Sequence, residues 1–594
     1  MTRWDEEVTS PTRREHLGQG REVMEYHGGT NQMTILSEVL GRLRPKRFVR
    51  IVLSDTLPSM PNVCSSLRPD LTRMDKVDRE YLKKKRAFDF PPRHVCDRFL
   101  RLYFDCVYPY APILDRVEFV QQYKNGSYSA FLLQAILACV ASYASSQLIR
   151  EAGFSDHVTA QRTFFLRASL LCDLKAECQQ LRLLQGSLVL SLLNFTFAID
   201  KDYRYWLSNA VRIATQMGLH QDNVAKDLDT GTRTLFRRLW WVIYNRDALL
   251  VSSGLDNARR IHDSDFDTSE LELSDWPEEN ITEDVADVLR PISRLQKLFL
   301  IESCKLSRIS AHYVQTSRFS ETALTKGWSE LEASLATWRM QLPAEMRTEG
   351  VYDWCQTNIW PLVLMARCYL LECIIYRVLR DSFRASGDAP LADRSARRLR
   401  TAMFELDSIL DRIMLHNLAR YCPLYMMNCT STLLALHIET ALHQSASEED
   451  RLSARIRIHQ AQKYLRGLSD YWSSIKWAQR LFEVIVSRTG LSLIVPPQPV
   501  FDLHSSNPFN LGGRNNGNLA SGKVGDAAAE PNNNNSPRER PDALPSPATS
   551  PSFIDFVDID DTLGNMMGRY AEDWLQDLFG DDFGALDEQW SSTQ

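Results

Sequence analysis

No C-x2-C pair occurs anywhere in this 594-residue chain, which removes the usual way of building a structural zinc site. The nearest cysteine pairs, Cys172/Cys178, Cys368/Cys373 and Cys422/Cys429, lie in apolar helical stretches, where a reduced thiol behaves as a small hydrophobe. No cofactor is expected in the chain. Glycine-rich phosphate loops of the Walker or dinucleotide type are missing, as are H-E-x-x-H and G-x-S-x-G. Those absences set aside the common nucleotide-dependent, zinc-peptidase and serine-hydrolase chemistries, and no catalytic residue is nominated. An all-α diphosphate enzyme would need paired aspartates for magnesium; Asp560-Asp561 and Asp581-Asp582 lie in the acidic terminal zone, away from any expected pocket. No apolar run follows the charged start Met1–Glu7, so no secretory leader is read there and the N-x-Thr triplets at Asn194, Asn280 and Asn428 are not expected to carry glycans. Asn125 to Ile149 holds no charged residue, yet it includes Gln134, Ser142, Ser145, Ser146 and Gln147. A bilayer would penalise these, so the stretch reads as a buried helix and no membrane partner is expected.

What the chain does have is enough apolar residue, 44%, for a large core, at a length that suggests roughly two to four structural units. Its net charge is −6, but residues 553–594 hold eleven acids against the single base Arg569, so the rest of the chain sums to +4. A nearly neutral body is not built to coat a nucleic-acid duplex. Four zones follow. Residues 1–90 are polar and irregular, with apolar pieces at Met33–Leu40 and Phe48–Leu53, and are read as disordered to partly ordered. Residues 91–495 form a long succession of helical patterns. Examples are Tyr205–His220, where Trp206, Ala210, Ile213, Ala214 and Met217 recur before Gly218, and Leu235–Leu250. Ile292–Leu306, Trp360–Leu379, Ala402–Leu415, Leu424–Leu442 and Ala461–Val486 continue the pattern. Strand alternation is nearly absent. The expectation is an all-α fold: one large, irregular helical domain of about 400 residues. Residues 496–551, rich in proline and asparagine, read as a disordered linker, and 553–594 form an acidic, aromatic tail.

Four segments in order resemble the regulatory domain of fungal binuclear-zinc-cluster transcription factors, over roughly residues 97–270. The first is Leu100–Phe119, with Tyr103-Phe104, Tyr108-Pro109 and Pro112-Ile113-Leu114-Asp115. Next come Ala210-x-Arg212-x-Ala214 followed by Gly218-Leu219-His220, then Arg237-Arg238-x-Trp240-Trp241 with Asp247. The fourth is Gly254 with Ile261–Asp267. Upstream, Glu25–Gly28 and Tyr81–Pro92 are similar to the cutinase transcription factor beta branch. Pro109, Pro112, Arg212, Gly218, Arg237, Arg238, Trp240, Trp241 and Asp247 are read as structural. The tryptophans bring area to helix packing, and Arg212, Arg237, Arg238 and Asp247 are expected to form a partly buried ionic network.

The resemblance implies a nuclear transcription regulator of metabolic genes, in lipid catabolism or secondary metabolism, with a domain that admits a small-molecule effector. Members normally place a six-cysteine zinc cluster ahead of this domain, and the 25 residues before Tyr26 hold no cysteine. Direct DNA binding is therefore expected only with a zinc cluster restored upstream, and otherwise through a partner factor, as a homo- or heterodimer. Two basic runs, Arg42–Arg47 and Lys83-Lys84-Lys85-Arg86, are candidate import signals. In the tail, Trp574, Leu575, Leu578 and Phe579 share one side of a potential helix, and Phe553, Phe556 and Phe583 stand among the acids. Acids that keep aromatics exposed suit an activation segment that docks in a coactivator groove.

Overall fold

A computed structural model describes residues 22–26, 48–52, 74–193, 201–222, 228–256, 258–277, 279–317, 321–351, 353–443, 446–469 and 473–491. The chain divides into two units, Met1–Ser492 and Leu493–Gln594, and every described residue belongs to the first. The linker, the basic run Arg42–Arg47 and the tail residues Phe553, Phe556, Trp574, Leu575, Leu578, Phe579 and Phe583 lie outside the described residues.

The first unit is helical, as its periodicity predicts, with one addition. β1 (Glu22–Tyr26) pairs antiparallel with β2 (Phe48–Val52), Tyr26 opposite Phe48 and Glu22 opposite Val52. Strand alternation is nearly absent as expected, and this short pair is the exception among the described residues. Five residues of EVMEY and of FVRIV are too short a pattern to register as alternation, yet they are β-branched and aromatic enough to pair. A lone two-stranded ribbon is marginal in water, and β1 lies beside helix α8 (Tyr203–Gln216).

Helix starts follow a repeated local device: a short polar side chain accepts a hydrogen bond from a backbone N–H in the first turn. Asp75 caps α1 (Lys76–Lys84), Asp115 caps α3 (Arg116–Lys124) and Ser129 caps α4 (Ala130–Val140). Asp156, Asp202 and Asp229 do the same for α6 (His157–Asp173), α8 and α9 (Thr230–Ser252). Between these lie α2 (Arg93–Leu102), α5 (Ser146–Glu151) and α7 (Gln180–Ser191). Every residue of α4 is buried, which explains its lack of charge. The Nε2 of its one amide, Gln134, donates to the carbonyls of Ala87 (3.1 Å) and Asp89 (2.9 Å). Among the described residues, no helix is long and apolar enough to cross a membrane. α4 packs against α6 and α7, and α7 against α8.

Downstream come the single turn α10 (Glu283–Ala286), then α11 (Arg294–Ser317), α12 (Glu321–Gln341), α13 (Trp360–Ala385) and α14 (Ala389–Leu415). α15 (Met426–Leu442), α16 (Glu448–Ser469) and α17 (Ser473–Arg488) close the unit. The helical stretch expected over Ala461–Val486 is thus two helices, α16 and α17, packed against each other. The core falls into two clusters. One is built on α2–α9 and also takes Ile438, Ile458 and Leu465; the other is built on α11–α15. α9, α11 and α15 contribute side chains to both, which joins them into one body.

Candidate functional site

The residues singled out in the sequence gather largely around α9. Trp240 and Trp241 are each 1% exposed, adjacent on the helix and therefore about 100° apart around it. A strap formed by residues 258–276 covers them. Phe266 on that strap is the hub, with ring centroids 5.4 Å from Trp240, 5.8 Å from Trp241 and 5.3 Å from Tyr244. The Trp241 indole donates to the Ser269 carbonyl at 2.7 Å, so its one polar atom is satisfied within an apolar contact. The Tyr244 hydroxyl donates to Asp263 at 2.6 Å. Burial, with Asp263 accepting the hydroxyl proton, pushes that phenol well above its ordinary range despite Arg259 beside it.

Charge fixes both ends of the strap. At one end Asp247, wholly buried, accepts from the backbone N–H groups of Arg260 (3.0 Å) and Ile261 (3.2 Å). It also pairs with the Arg260 guanidinium at 3.2 Å and that of Arg259 at 3.4 Å. Arg260 reaches on to Asp256 at 2.8 Å, and Arg259 stacks over the Tyr244 ring at 4.7 Å. At the other end Arg237 Nη1 donates to Asp275 at 2.8 Å and Arg238 Nη1 to the Asp275 carbonyl at 2.8 Å. Burial raises the Asp275 carboxyl above its usual value, although the Glu272 N–H and both arginines pull it back.

The second sequence segment reaches the same place. α8 stops at Gly218, which sits at φ +75°, a conformation glycine adopts without a Cβ penalty. Leu219 N–H then returns to the Ala214 carbonyl at 3.0 Å. His220 comes to lie 5.9 Å from the Trp240 ring, and its carbonyl accepts from Asp267 N–H at 3.1 Å. Burial lowers the His220 pKa from 6.5, with Asp267 and Asp265 opposing. Arg212, by contrast, is exposed, and among the described residues it donates to Asn209 at 2.9 Å. The expected four-residue network is therefore two separate clusters without Arg212. The reason is rotational: Arg212 is one position before Ile213 on α8, and Ile213 faces the core.

The first segment is positioned elsewhere. Tyr103–Val107 forms a π-helical turn, Tyr108 N–H bonding the Tyr103 carbonyl at 2.9 Å. The buried Pro109 and Pro112 then turn the chain into Asp115. Arg116 stacks over Tyr108 at 4.9 Å and pairs with Glu279, fastening this turn to the segment after the strap. Lys83 and Lys84 are exposed in the last turn of α1. Lys85 caps that helix and Arg86, at φ +54°, pairs with Asp89 at 2.6 Å. The basic run is thus part of a folded helix end, anchored by Leu82 and Ala87 in the core.

Sequence reading missed Arg259, Arg260 and Asp275. Arg259-Arg260 is visible as a basic pair ahead of Ile261, but nothing local says that it meets Asp247. Two recesses flank the site, one beside Gly218 and Arg237 and one beside Leu249 and Arg367, each with about 10 Å³ of space, room for roughly one water. Among the described residues no group of three or more His, Cys, Asp or Glu side chains is placed to hold a metal.

Among the arginines and tryptophans singled out in the sequence, Arg237, Arg238 and the Trp241 indole thus serve to lock the strap. Residues 100–357 match the fungal specific transcription factor domain. It is similar to the fusaric acid cluster transcription factor of Gibberella fujikuroi, 35% identical over 422 residues, covering 70% of this chain and 62% of that protein. Cutinase transcription factor 1 beta of Fusarium vanettenii is 29% identical over 261 residues, 43% of this chain and 29% of that protein. The acetamidase regulatory protein of Aspergillus fumigatus is 25% identical over 407 residues, 67% of this chain and 49% of that protein. The chain thus spans about three fifths of the length of the first of these relatives, 62%.

Proposed function

We propose that this protein is a nuclear transcription regulator, an activator of metabolic genes in lipid catabolism or secondary metabolism, and not an enzyme. The observation that carries the reading is the convergence of three ordered sequence segments on one strap, inside a region that matches the fungal specific transcription factor domain. The names of its relatives, regulators of a fusaric acid cluster, of cutinase and of acetamidase, support metabolic targets. In this reading the helical unit is the regulatory body, and the acidic, aromatic residues 553–594 recruit coactivators. DNA is reached through a zinc cluster supplied upstream of Met1 or through a partner factor bound as a dimer. Lys83–Arg86 contributes to import as an exposed basic helix end.

A reporter experiment tests the reading. The full chain is fused to a heterologous DNA-binding domain upstream of a reporter gene, beside a version lacking residues 553–594 and one carrying Trp574→Ala with Phe579→Ala. The full chain is expected to activate, the deletion to fall to the level of the DNA-binding domain alone, and the double substitution to fall most of the way. Equal output from all three, at equal nuclear protein levels, overturns the activator assignment.

A further inference from the structure

We propose that Arg367 holds the acidic head of a small apolar carboxylate in the recess between α9, α11 and α13. Arg367 is 5% exposed, and among the described residues all its polar partners are neutral. Nη1 donates to Asn245 Oδ1 at 2.7 Å and to the Ser303 carbonyl at 3.3 Å, and Nη2 to Ser307 Oγ at 2.5 Å. Four other buried or half-buried arginines face an acid: Arg116 faces Glu279, Arg237 faces Asp275, Arg260 faces Asp247 and Arg339 faces Glu372. A guanidinium does not lose its charge on burial, and leaving that charge without an anion is costly.

The unused donors point the same way. Three of the five N–H groups of a guanidinium are engaged by those neutral acceptors, which leaves Nε–H and one hydrogen of Nη2. An Nε–H and Nη2–H edge of a guanidinium has the spacing that matches the two oxygens of a carboxylate. Arg367 lines the recess together with Leu249, Leu306, Leu370, Leu371 and Ser253. The Ser253 hydroxyl makes no hydrogen bond among the described residues and is a further donor. Four leucines around a single cation fit an acid with a short aliphatic or aromatic body better than a polyanion.

The recess offers about 10 Å³, room for roughly one water, so the carboxylate and its apolar body enter only as the turn at Ser252–Ser253 gives way. That turn ends α9 directly before Gly254, at φ +71°. α9 also carries Arg237, Trp240 and Asp247, so an occupant at its C-terminal end acts on the helix that holds the strap.

The test is a binding experiment on the purified full chain, so its outcome does not depend on whether the protein regulates transcription. Sodium hexanoate is titrated by calorimetry and by thermal melting, against hexanol, sodium chloride and sodium phosphate at matched ionic strength. Saturable binding and a rise in melting temperature are expected with hexanoate alone. Arg367→Met is expected to weaken binding about tenfold or more, the scale of a lost charge-assisted hydrogen-bond pair. Ser253→Phe, at the mouth, blocks binding while keeping the guanidinium and the unliganded melting temperature, and so decides the matter should Arg367→Met fail to fold. No saturable hexanoate binding, an equal response to hexanol or phosphate, or wild-type binding by Ser253→Phe each overturns the proposal.

Discussion

Gly186, in the middle of α7, faces the ring of Phe131 on α4 so closely that a Cβ built on it would stand 2.7 Å from Cζ and 2.8 Å from Cδ1, and nearer still to Cε1. Gly186→Ala therefore sets two effects against each other. Alanine gains about 1 kcal/mol over glycine inside a helix. Against that, overpacking costs about 1–3 kcal/mol, and the upper end applies where neighbours cannot yield. Phe131 is 1% exposed and lies 6.3 Å from the fully buried Trp206 ring, so it has nowhere to go. The net expectation is a loss of about 2 kcal/mol. In a Phe131→Leu background the ring is gone and only the propensity remains, so the same substitution should stabilise by about 1 kcal/mol. The difference, about 3 kcal/mol, is a coupling energy at the upper end for residues in contact. Urea unfolding of the four proteins, followed by tryptophan fluorescence with Trp206 beside the perturbation, measures it. A neutral or stabilising Gly186→Ala in the wild-type background, or an equal cost in both backgrounds, refutes the close approach.

Three further expectations follow from the site. Asp247→Ala strands two buried N–H groups and the Arg259 and Arg260 guanidiniums, and should cost about 3–5 kcal/mol. Arg260→Ala combined with it should cost less than the sum of the two, and additive unfolding energies would contradict the latch. His220 is held neutral by burial, its folded pKa below 6.5. Its contribution to stability is complete above the unfolded pKa and is lost as pH falls from there toward the folded value. His220→Gln should therefore flatten the decline in melting temperature between about pH 7.5 and about pH 5.5. Cys355 is exposed, and the Thr357 hydroxyl 3.1 Å away lowers its thiol pKa, whereas burial pushes Cys139, Cys368 and Cys429 up to about 12. Alkylation followed by mass spectrometry should label Cys355 early and those three only after denaturation.

What the sequence by itself determined is what depends on neighbours along the chain. Apolar periodicity set the helices, Asp202 and Asp229 their starts and Gly218 a stop, because a capping carboxylate or a positive φ acts within a few residues. The charge-free stretch over α4 announced burial on most sides. The ordered motifs announced the domain match, since Trp240, Trp241 and Asp247 keep a legible spacing on one helix. Tertiary structure alone decided what meets what. The division of Ala461–Val486 into two helices and the pairing of β1 with β2 rest on packing. Arg212 points outward while Arg237 and Arg238 reach Asp275, 38 and 37 positions away. Arg367 meets Asn245 across 122 residues. Such contacts form when separate helices bury their apolar faces together, and the polar groups carried along must then find partners wherever the packing leaves them. Local pattern holds no record of that outcome. The strap over Trp240 and Trp241, and the unmatched guanidinium beside its helix, became visible only in the folded chain.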